Sequence, residues 1–273
     1  MRLHMLQRVS PAASNIVADT ERTSATRRGV QARRVRTSED IRQFFDGIAA
    51  SYVDRHGAAA ELLRYRCDVL NRMLGVCSDD TLLEVACGTG DHLLALAGAA
   101  RRAIGIDFSP AMVCRASEKA STFTGTDIDL RVDDATTLAT LDDDSVDLAF
   151  CVGALEHVPD KQAAFAAVHR VLRRGGRFVS LTVNGAYLWH RHIAPLLRYG
   201  TRHLESDRFL ERSELLQLAV RAGFSRIDVG YWSFIPADDM PRGLSSLLTV
   251  ADSVGRALGL SSLRGGLRIA AEA

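Results

Sequence analysis

The sequence predicts an α/β fold in which a doubly wound, parallel sheet carries a ligand beyond the carboxyl ends of its strands. Apolar runs that suit buried strands occur near residues 82–86, 103–106, 128–132, 146–151 and 177–183, and helical patterns near 91–99, 110–120 and 161–172 separate them. This alternation is typical of a parallel sheet that helices cover on both faces. The first run breaks into Gly88-Thr89-Gly90 and the second ends at Asp107. Both features lie at the sheet edge where such folds bind ligands.

Residues 1–36 precede these elements and hold eight arginines, two acids and little apolar periodicity. We expect a mostly disordered extension, because the segment has too little apolar material to dock firmly. An Arg-rich, acid-poor start is also typical of a mitochondrial targeting segment. The whole chain prefers arginine, with Lys119 and Lys161 as its only lysines, so the bias does not single out targeting.

Residues 37–75 are predicted to form helices ahead of the sheet. Apolar residues recur at helical spacing from Ile41 to Leu74, and His56-Gly57 marks a break between two helices. Ser38 is a candidate N-cap, since the acids that follow it favour the positive end of a helix dipole. The rest of the chain, residues 76–273, contains the sheet and two insertions, 185–210 and 240–262.

The loop after the first strand predicts a nucleoside-type cofactor. Gly88 and Gly90 let the backbone approach a ligand that a β-carbon would push away. Asp107 lies 17 residues beyond Gly90, where a carboxylate can accept hydrogen bonds from both ribose hydroxyls. A dinucleotide fingerprint needs a third glycine where Leu93 stands, and no Gly-Lys-Ser/Thr follows the loop. A P-loop site is therefore excluded, and an NAD-type site is less well supported.

This loop resembles the S-adenosylmethionine (SAM) binding loop of class I methyltransferases. The segment Phe44–His56 resembles the entry helix of the small-molecule group that methylates quinones and natural products. Four later segments match the same family in order: Asp133-Asp134-Ala135, Val146–Pro159, Val171–Phe178 and Ala222-Gly223-Phe224. Within the third of these segments, Arg174 stands where the family often has proline. The resemblance spans roughly residues 40–235. It implies a Rossmann-like sheet of seven strands, with a sixth strand near 224–229. The last strand, near 267–271, would run antiparallel between the fifth and sixth.

The resemblance also implies SAM as cofactor and assigns its contacts. Gly88 and Gly90 would make room for the methionine part, and Glu84 would orient the loop or receive the SAM ammonium. Asp134 and Ala135 would bind the adenine edge, although Asp133 is an equally acidic neighbour. Tyr52 would cover SAM or only pack against the core. The implied cofactor site comprises Tyr52, Glu84, Cys87, Gly88, Gly90, Asp107, Phe108, Asp134, Ala135 and Cys151.

Methyl transfer needs alignment and a dry cavity more than a catalytic triad, because the sulfonium already activates the methyl group. Candidates for a general base are His157, His190 and His192, with His203 nearby in sequence. The phrase that contains His157 is also common in relatives that need no base, so a structural role stays open. His190 and His192 would point to different sides of a helix, so no metal site is expected.

The two insertions carry the information on the acceptor. Leu244, Leu247, Leu248, Ala251, Val254 and Leu258 fall on one helical stripe. Tyr187, Trp189 and several leucines give the first insertion an apolar, aromatic character. The two segments could cap a pocket for a hydrophobic molecule, make weak peripheral contact with a membrane, or cover the core.

Composition limits the remaining classes. The chain has 273 residues, which suits one domain with extensions, and a net charge of +1, which favours no polyanionic partner. Its five cysteines show no metal-like spacing, and no apolar run reaches membrane-spanning length. We expect reduced thiols and a cytoplasmic location.

The sequence therefore predicts a SAM-dependent methyltransferase that acts on an oxygen, nitrogen or carbon atom of a small hydrophobic metabolite. The alternative is a non-catalytic scaffold or binding protein with the same fold. A nucleic-acid methyltransferase is less well supported, because Cys151-Val152-Gly153-Ala154 replaces the Asn/Asp-Pro-Pro-aromatic motif after the fourth strand.

Overall fold

A seven-stranded sheet organises the computed structural model, which describes residues 28–29, 32–52, 59–233 and 242–273. In chain order its strands are β1 (Thr81–Val85), β2 (Arg102–Asp107), β3 (Asp127–Val132), β4 (Val146–Val152), β5 (Leu172–Val183), β6 (Ser225–Trp232) and β7 (Gly266–Glu272). The spatial order is β3-β2-β1-β4-β5-β7-β6. β7 is antiparallel to β5 and β6, whereas the other pairs are parallel. The predicted doubly wound sheet with an antiparallel last strand is confirmed.

Helices cover both faces of this sheet. They are α1 (Ser38–Ile48), α2 (Ala59–Leu74), α3 (Asp91–Ala97), α4 (Pro110–Ala120), α5 (Lys161–Val171), α6 (Arg212–Ala222) and α7 (Arg242–Leu258). One core cluster joins α5 and α6 to the sheet, and a second joins α2 and α3 to the opposite face. Strand β1 lies between these layers with all five residues buried, which explains its mainly apolar sequence, with Glu84 as a buried charged residue.

The packing of α3 on β2 explains why Leu93 can stand where a dinucleotide fingerprint has its third glycine. Leu93 of α3 is fully buried over Gly105, where an added Cβ would lie 2.9 Å from the Leu93 Cδ2 atom. The same Cβ would lie 2.7 Å from Leu130 Cδ2. The close approach of helix and strand is therefore achieved by a glycine in the strand and a leucine in the helix.

The start of the described chain corrects two sequence predictions. Thr37, not Ser38, is the N-cap of α1: its side chain accepts from the Asp40 amide, and the Asp40 carboxylate accepts from the Thr37 amide. The predicted extension also ends earlier than residue 36, because Arg28–Gly29 pairs with Tyr199–Gly200 and Arg33 pairs with Leu204. Residues 1–27 and the predicted break at His56-Gly57 lie outside the described residues.

The two insertions pack against each other. The first contains a π-helical turn, Trp189–Ile193, and the second contains α7. Tyr187, Trp189 and Ala194 form a buried cluster with Leu248 of α7. Side chains on another part of α7 are exposed, including Leu247 at 63% and Val254 at 41%. The predicted apolar stripe of α7 is therefore divided between a buried contact and the surface.

The described residues include no helix with the length and apolar character needed to cross a membrane. Within the same ranges, no group of three or more His, Cys, Asp or Glu side chains is arranged to hold a metal ion.

Candidate active site

The loop between β1 and α3 has backbone angles that its glycines permit. Gly88 and Gly90 have φ values of 53° and 77°, in the left-handed region that favours glycine. An added Cβ at Gly90 would also lie 3.1 Å from the Ala116 Cβ of α4. The loop therefore turns sharply at the carboxyl end of β1 and presents its backbone to the cleft.

Glu84 holds this loop from beneath. Its buried Oε2 accepts a hydrogen bond of 2.9 Å from the Leu93 amide in the first turn of α3, and its Oε1 lies 3.4 Å from Nδ1 of His92. Burial raises the pKa of the Glu84 carboxyl, and the contacts with His92 and Leu93 oppose that rise. This geometry supports the loop-orienting role of Glu84. A contact with the SAM ammonium stays a prediction.

Asp107 ends β2 beside the same loop and is buried. Its Oδ2 accepts from the Gly88 amide and its Oδ1 from the Ser109 amide, each at 2.9 Å. Each oxygen keeps a further lone pair for a ligand hydroxyl. Burial raises the pKa of Asp107 to about 6, although the amide hydrogen bonds act in the opposite direction.

SAM affinity is expected to fall as the pH drops through 6, because only ionised Asp107 offers acceptors on both oxygens. The raised pKa means that the carboxyl is ionised above pH 6 and protonated below pH 6, so SAM affinity reaches its full value well above pH 6. Well below pH 6, SAM affinity falls by about tenfold per pH unit. Calorimetric titrations between about pH 7.5 and 5 measure this dependence. Asp107→Asn is the control, since it removes the titrating group; a flat profile for the native protein would contradict the assignment.

The turn after β3 separates the roles of two adjacent acids. Asp133 is buried and accepts from the amides of Asp134, Ala139 and Thr140 and from the Thr140 hydroxyl. Burial would raise its pKa, but these hydrogen bonds hold it below its usual value. Asp134 is exposed, and only its Oδ1 is engaged, by Thr136. Among the described residues, the Ala135 amide has no hydrogen-bond partner. Asp134 and Ala135 are therefore open to an adenine edge.

Aromatic side chains from the N-terminal helices lie over the loop. An added Cβ at Gly88 would meet Cε1 of Tyr52 at 3.8 Å, and burial raises the pKa of Tyr52 to about 12. The Phe45 ring of α1 makes edge contacts with Phe108 at 6.3 Å and with His157 at 5.2 Å, measured between centroids. Asp46 fixes this helix by accepting from the Ser109 hydroxyl. The structure thus brings Tyr52 and Phe108 to the predicted cofactor site.

Two cysteines complete the predicted set, and both are buried. Cys87 lies at the turn after β1, where its amide donates to the carbonyl oxygen of Ile106. Cys151 is the second-last residue of strand β4. Burial raises the pKa of both thiols, so neither is a thiolate nucleophile near neutral pH. Their contacts with SAM stay a prediction.

His157 forms a buried pair with an acid from the first insertion. Its Nδ1 lies 2.6 Å from Oδ1 of Asp207, which is 2% exposed. The Oδ2 of Asp207 accepts from the amides of His203 and Leu204, so the carboxylate is held from both sides. Burial would lower the pKa of His157, but the Asp207 hydrogen bond and the nearby Glu156 charge raise it. The other ring nitrogen, Nε2, has no partner among the described residues.

Of the other predicted histidines, His190 and His192 form no hydrogen bond with this pair among the described residues, whereas the His203 amide donates to Asp207. His190 lies between Tyr187 and Phe209, and both of its ring nitrogens are buried without a hydrogen-bond partner among the described residues. Burial lowers the pKa of His190 to about 4, so it is neutral near pH 7. His192 is exposed. His203 is exposed too, but its ring lies 6.0 Å from that of His157.

Sequence reasoning missed Asp207 and Phe45. Asp207 lies 50 residues from His157 in a segment without clear periodicity, so no local spacing could join them. Phe45 has the signal of an ordinary amphipathic helix residue. Only the docking of α1 by Asp46 turns that helix face toward the site.

These residues fit a nucleoside cofactor with a cationic sulfonium. Gly88 leaves space that a side chain would fill, and the Ala135 amide and the second Asp134 oxygen are open to an adenine. Asp107 offers a buried negative charge with spare acceptor positions. The arrangement is that expected for SAM, with Asp107 at the ribose.

Comparison with known proteins agrees with this site. A methyltransferase domain family matches residues 83–180, which contain the loop, β2, β3 and β4. The demethylmenaquinone methyltransferase of Alkalihalophilus pseudofirmus is 28% identical over 71% of this chain and 92% of its own length. The ubiquinone biosynthesis O-methyltransferase of Xanthomonas euvesicatoria is 30% identical over 57% of this chain and 66% of its own. The crystal structure of the [4+2]-cyclase SpnF covers 90% of this chain and 98% of its own, at 20% identity and a TM-score of 0.65.

The fold, the glycine loop and these similarities define a class: the chain is a class I SAM-dependent methyltransferase. Within that class it resembles the enzymes of small-molecule methylation. Its cofactor is SAM. The roles of the individual residues in binding and catalysis stay predictions.

Proposed function

We propose that this enzyme methylates a hydroxylated aromatic acceptor of quinol or phenol type, with His157 as the general base. The His157–Asp207 pair supports this proposal, because Asp207 orients an imidazole that packs against Phe45, a ring that also contacts Phe108 after β2. The names of the two quinone-pathway relatives support the acceptor class. A neutral hydroxyl is a weak nucleophile, so removing its proton during attack is worth about 10²–10⁴-fold in rate.

Each residue of the pair has a distinct task. Asp207 accepts the Nδ1 proton of His157, which leaves the Nε2 lone pair to take the acceptor's hydroxyl proton. Bound SAM supplies an electrophilic methyl group, and its sulfonium sulfur becomes a neutral thioether when the methyl group is transferred. The Phe45 ring packs against His157 and helps to exclude water from the reaction.

The proposal is tested by incubating the enzyme with labelled SAM and matched pairs of acceptors. Quinols and phenols are compared with their fully O-methylated counterparts, and product mass spectra locate the new methyl group. We expect turnover only with a free hydroxyl. Methylation of amines alone would refute the acceptor class, and SAM binding without turnover of any acceptor would favour the scaffold alternative.

The exposed apolar face of α7 is proposed to guide a hydrophobic acceptor, with weak peripheral membrane contact. Leu247 and Val254 are largely exposed, so Leu247→Ser/Val254→Ser should keep the melting temperature and SAM affinity. Lost burial of two aliphatic side chains should cost about 2–4 kcal/mol of acceptor binding and raise KM. Steady-state kinetics measure this effect, and vesicle sedimentation shows whether liposome binding falls as well.

Val220→Ser is the matched control, because Val220 is 59% exposed on α6, away from both insertions. A lower melting temperature of the α7 double variant, with weaker binding of both SAM and the acceptor, would show that the α7 face covers the core instead.

We also propose a cytoplasmic location for the enzyme, which cell fractionation tests.

A further inference from the structure

A second cleft, of about 570 Å³, lies at the β6–β7 edge of the sheet. We call it the arginine cleft, since four of its lining residues are arginines contributed by α2, α7, the segment before β7 and β7 itself. Its defining residues are Tyr65, Arg72, Tyr231, Arg256, Arg264 and Arg268. A volume of this size suits a small molecule.

The arginine cleft is separate from the SAM loop. Strands β4, β5 and β7 lie between β1, which carries the loop, and β6. Along β6 and β7 side chains alternate between faces: Val229 and Ile269 join the α5–α6 core, whereas Trp232 and Ala270 join the α2 core. The cleft opens on this α2 face, beyond the edge of α2 itself.

The charges around the cleft leave an excess of positive charge. Arg268 pairs with Asp228 at 2.6 Å, and Arg264 pairs with Asp252 at 3.1 Å. Arg72 and Arg256 are exposed and form no ion pair within the described ranges. Four guanidinium groups therefore face two carboxylates, which leaves a net charge of +2, and an arginine does not lose its proton near neutral pH.

Two of the arginines are held in place by the fold. The Arg268 guanidinium lies against Gly230 of the neighbouring strand, where an added Cβ would come within 2.8 Å of Nη2. Arg264 is held by buried Asp252 and lies 5.6 Å over the Tyr231 ring. Fixed guanidinium groups lose little entropy on binding and can grip an anion with paired hydrogen bonds.

We propose that the arginine cleft binds a small molecule through a phosphate or diphosphate group. Arg72 and Arg256, which form no ion pair among the described residues, lie on two different helices that line the cleft, so a group with several oxygens could be held from more than one side. Bound anion would also relieve the mutual repulsion of the four guanidinium groups. This inference does not depend on which acceptor the enzyme methylates.

The test is calorimetric titration of the full-length protein with inorganic pyrophosphate at constant ionic strength. We expect saturable binding that weakens at least about tenfold in Arg72→Ala/Arg256→Ala, while SAM affinity stays unchanged. The matched control is Arg174→Ala/Arg221→Ala, which removes two exposed arginines that also have no ion pair among the described residues and lie outside the cleft. Asp228→Asn should tighten binding, because it frees Arg268 and removes a negative charge.

Three outcomes would overturn the proposal. They are no saturable binding, equal weakening in both double variants, and competition between pyrophosphate and SAM. Equal weakening would mean that pyrophosphate responds to the overall charge of the protein.

Discussion

Replacing His157 by glutamine is expected to lower kcat by about 10²–10⁴-fold and leave SAM affinity unchanged. Asp207 holds the imidazole at Nδ1, and Nε2 has no partner among the described residues, so one nitrogen is open to take a proton. Glutamine keeps polar atoms of similar reach but cannot accept a proton near neutral pH. Single-turnover kinetics with saturating SAM measure the chemical step directly.

The pH dependence distinguishes a base from a packing residue. Because the Asp207 hydrogen bond and the Glu156 charge raise the pKa of His157, kcat/KM should fall on the acid side of that raised value, where the ring is protonated. Asp207→Asn should lower the pKa and move this acid limb to lower pH. His192→Gln is the control, since His192 is exposed. An unchanged kcat in folded His157→Gln would remove the base from the mechanism.

Replacing Asp107 by alanine is expected to weaken SAM binding by about 1.5–3 kcal/mol, roughly 10- to 150-fold. Two ribose hydroxyls would lose a charged acceptor, and the Gly88 amide would lose the partner that orders the loop. Isothermal calorimetry measures the affinity, and thermal unfolding shows whether the variant is folded.

Two comparisons isolate the ribose contact. Asp107→Asn keeps one acceptor oxygen and should lose less affinity than alanine, while Asp133→Asn disturbs a carboxylate that holds only its own turn. If Asp107→Ala bound SAM as tightly as the native protein, the ribose would lie elsewhere. If Asp133→Asn lost as much affinity while folded, the assignment of Asp134 to adenine would be wrong.

The sheet could be predicted because its information is local. Strands β1, β2 and β4 are short, mainly apolar runs, and the turns after β1 and β2 carry the glycines and the acid that the site needs. The boundaries of β1, β2 and β4 differ from the prediction by no more than a residue at each end. The N-cap of α1 lies one residue before the predicted Ser38. Thr37 and Ser38 are both good N-caps, and only the reciprocal hydrogen bonds with Asp40 select Thr37.

Taken alone, the sequence determined the fold class, the cofactor and the line of residues along the carboxyl edge of the sheet, because strand burial and glycine loops depend on neighbours in the chain. Tertiary structure decided which functional groups meet. Asp207 reaches His157 because the first insertion folds back over β4, and Phe45 reaches both His157 and Phe108 because Asp46 docks α1 on the start of α4. Arg72 is likewise far in the chain from the other three arginines of the cleft, and it meets them because antiparallel β7 inserts between β5 and β6. Contacts of this kind depend on packing over tens of residues, which no local pattern encodes.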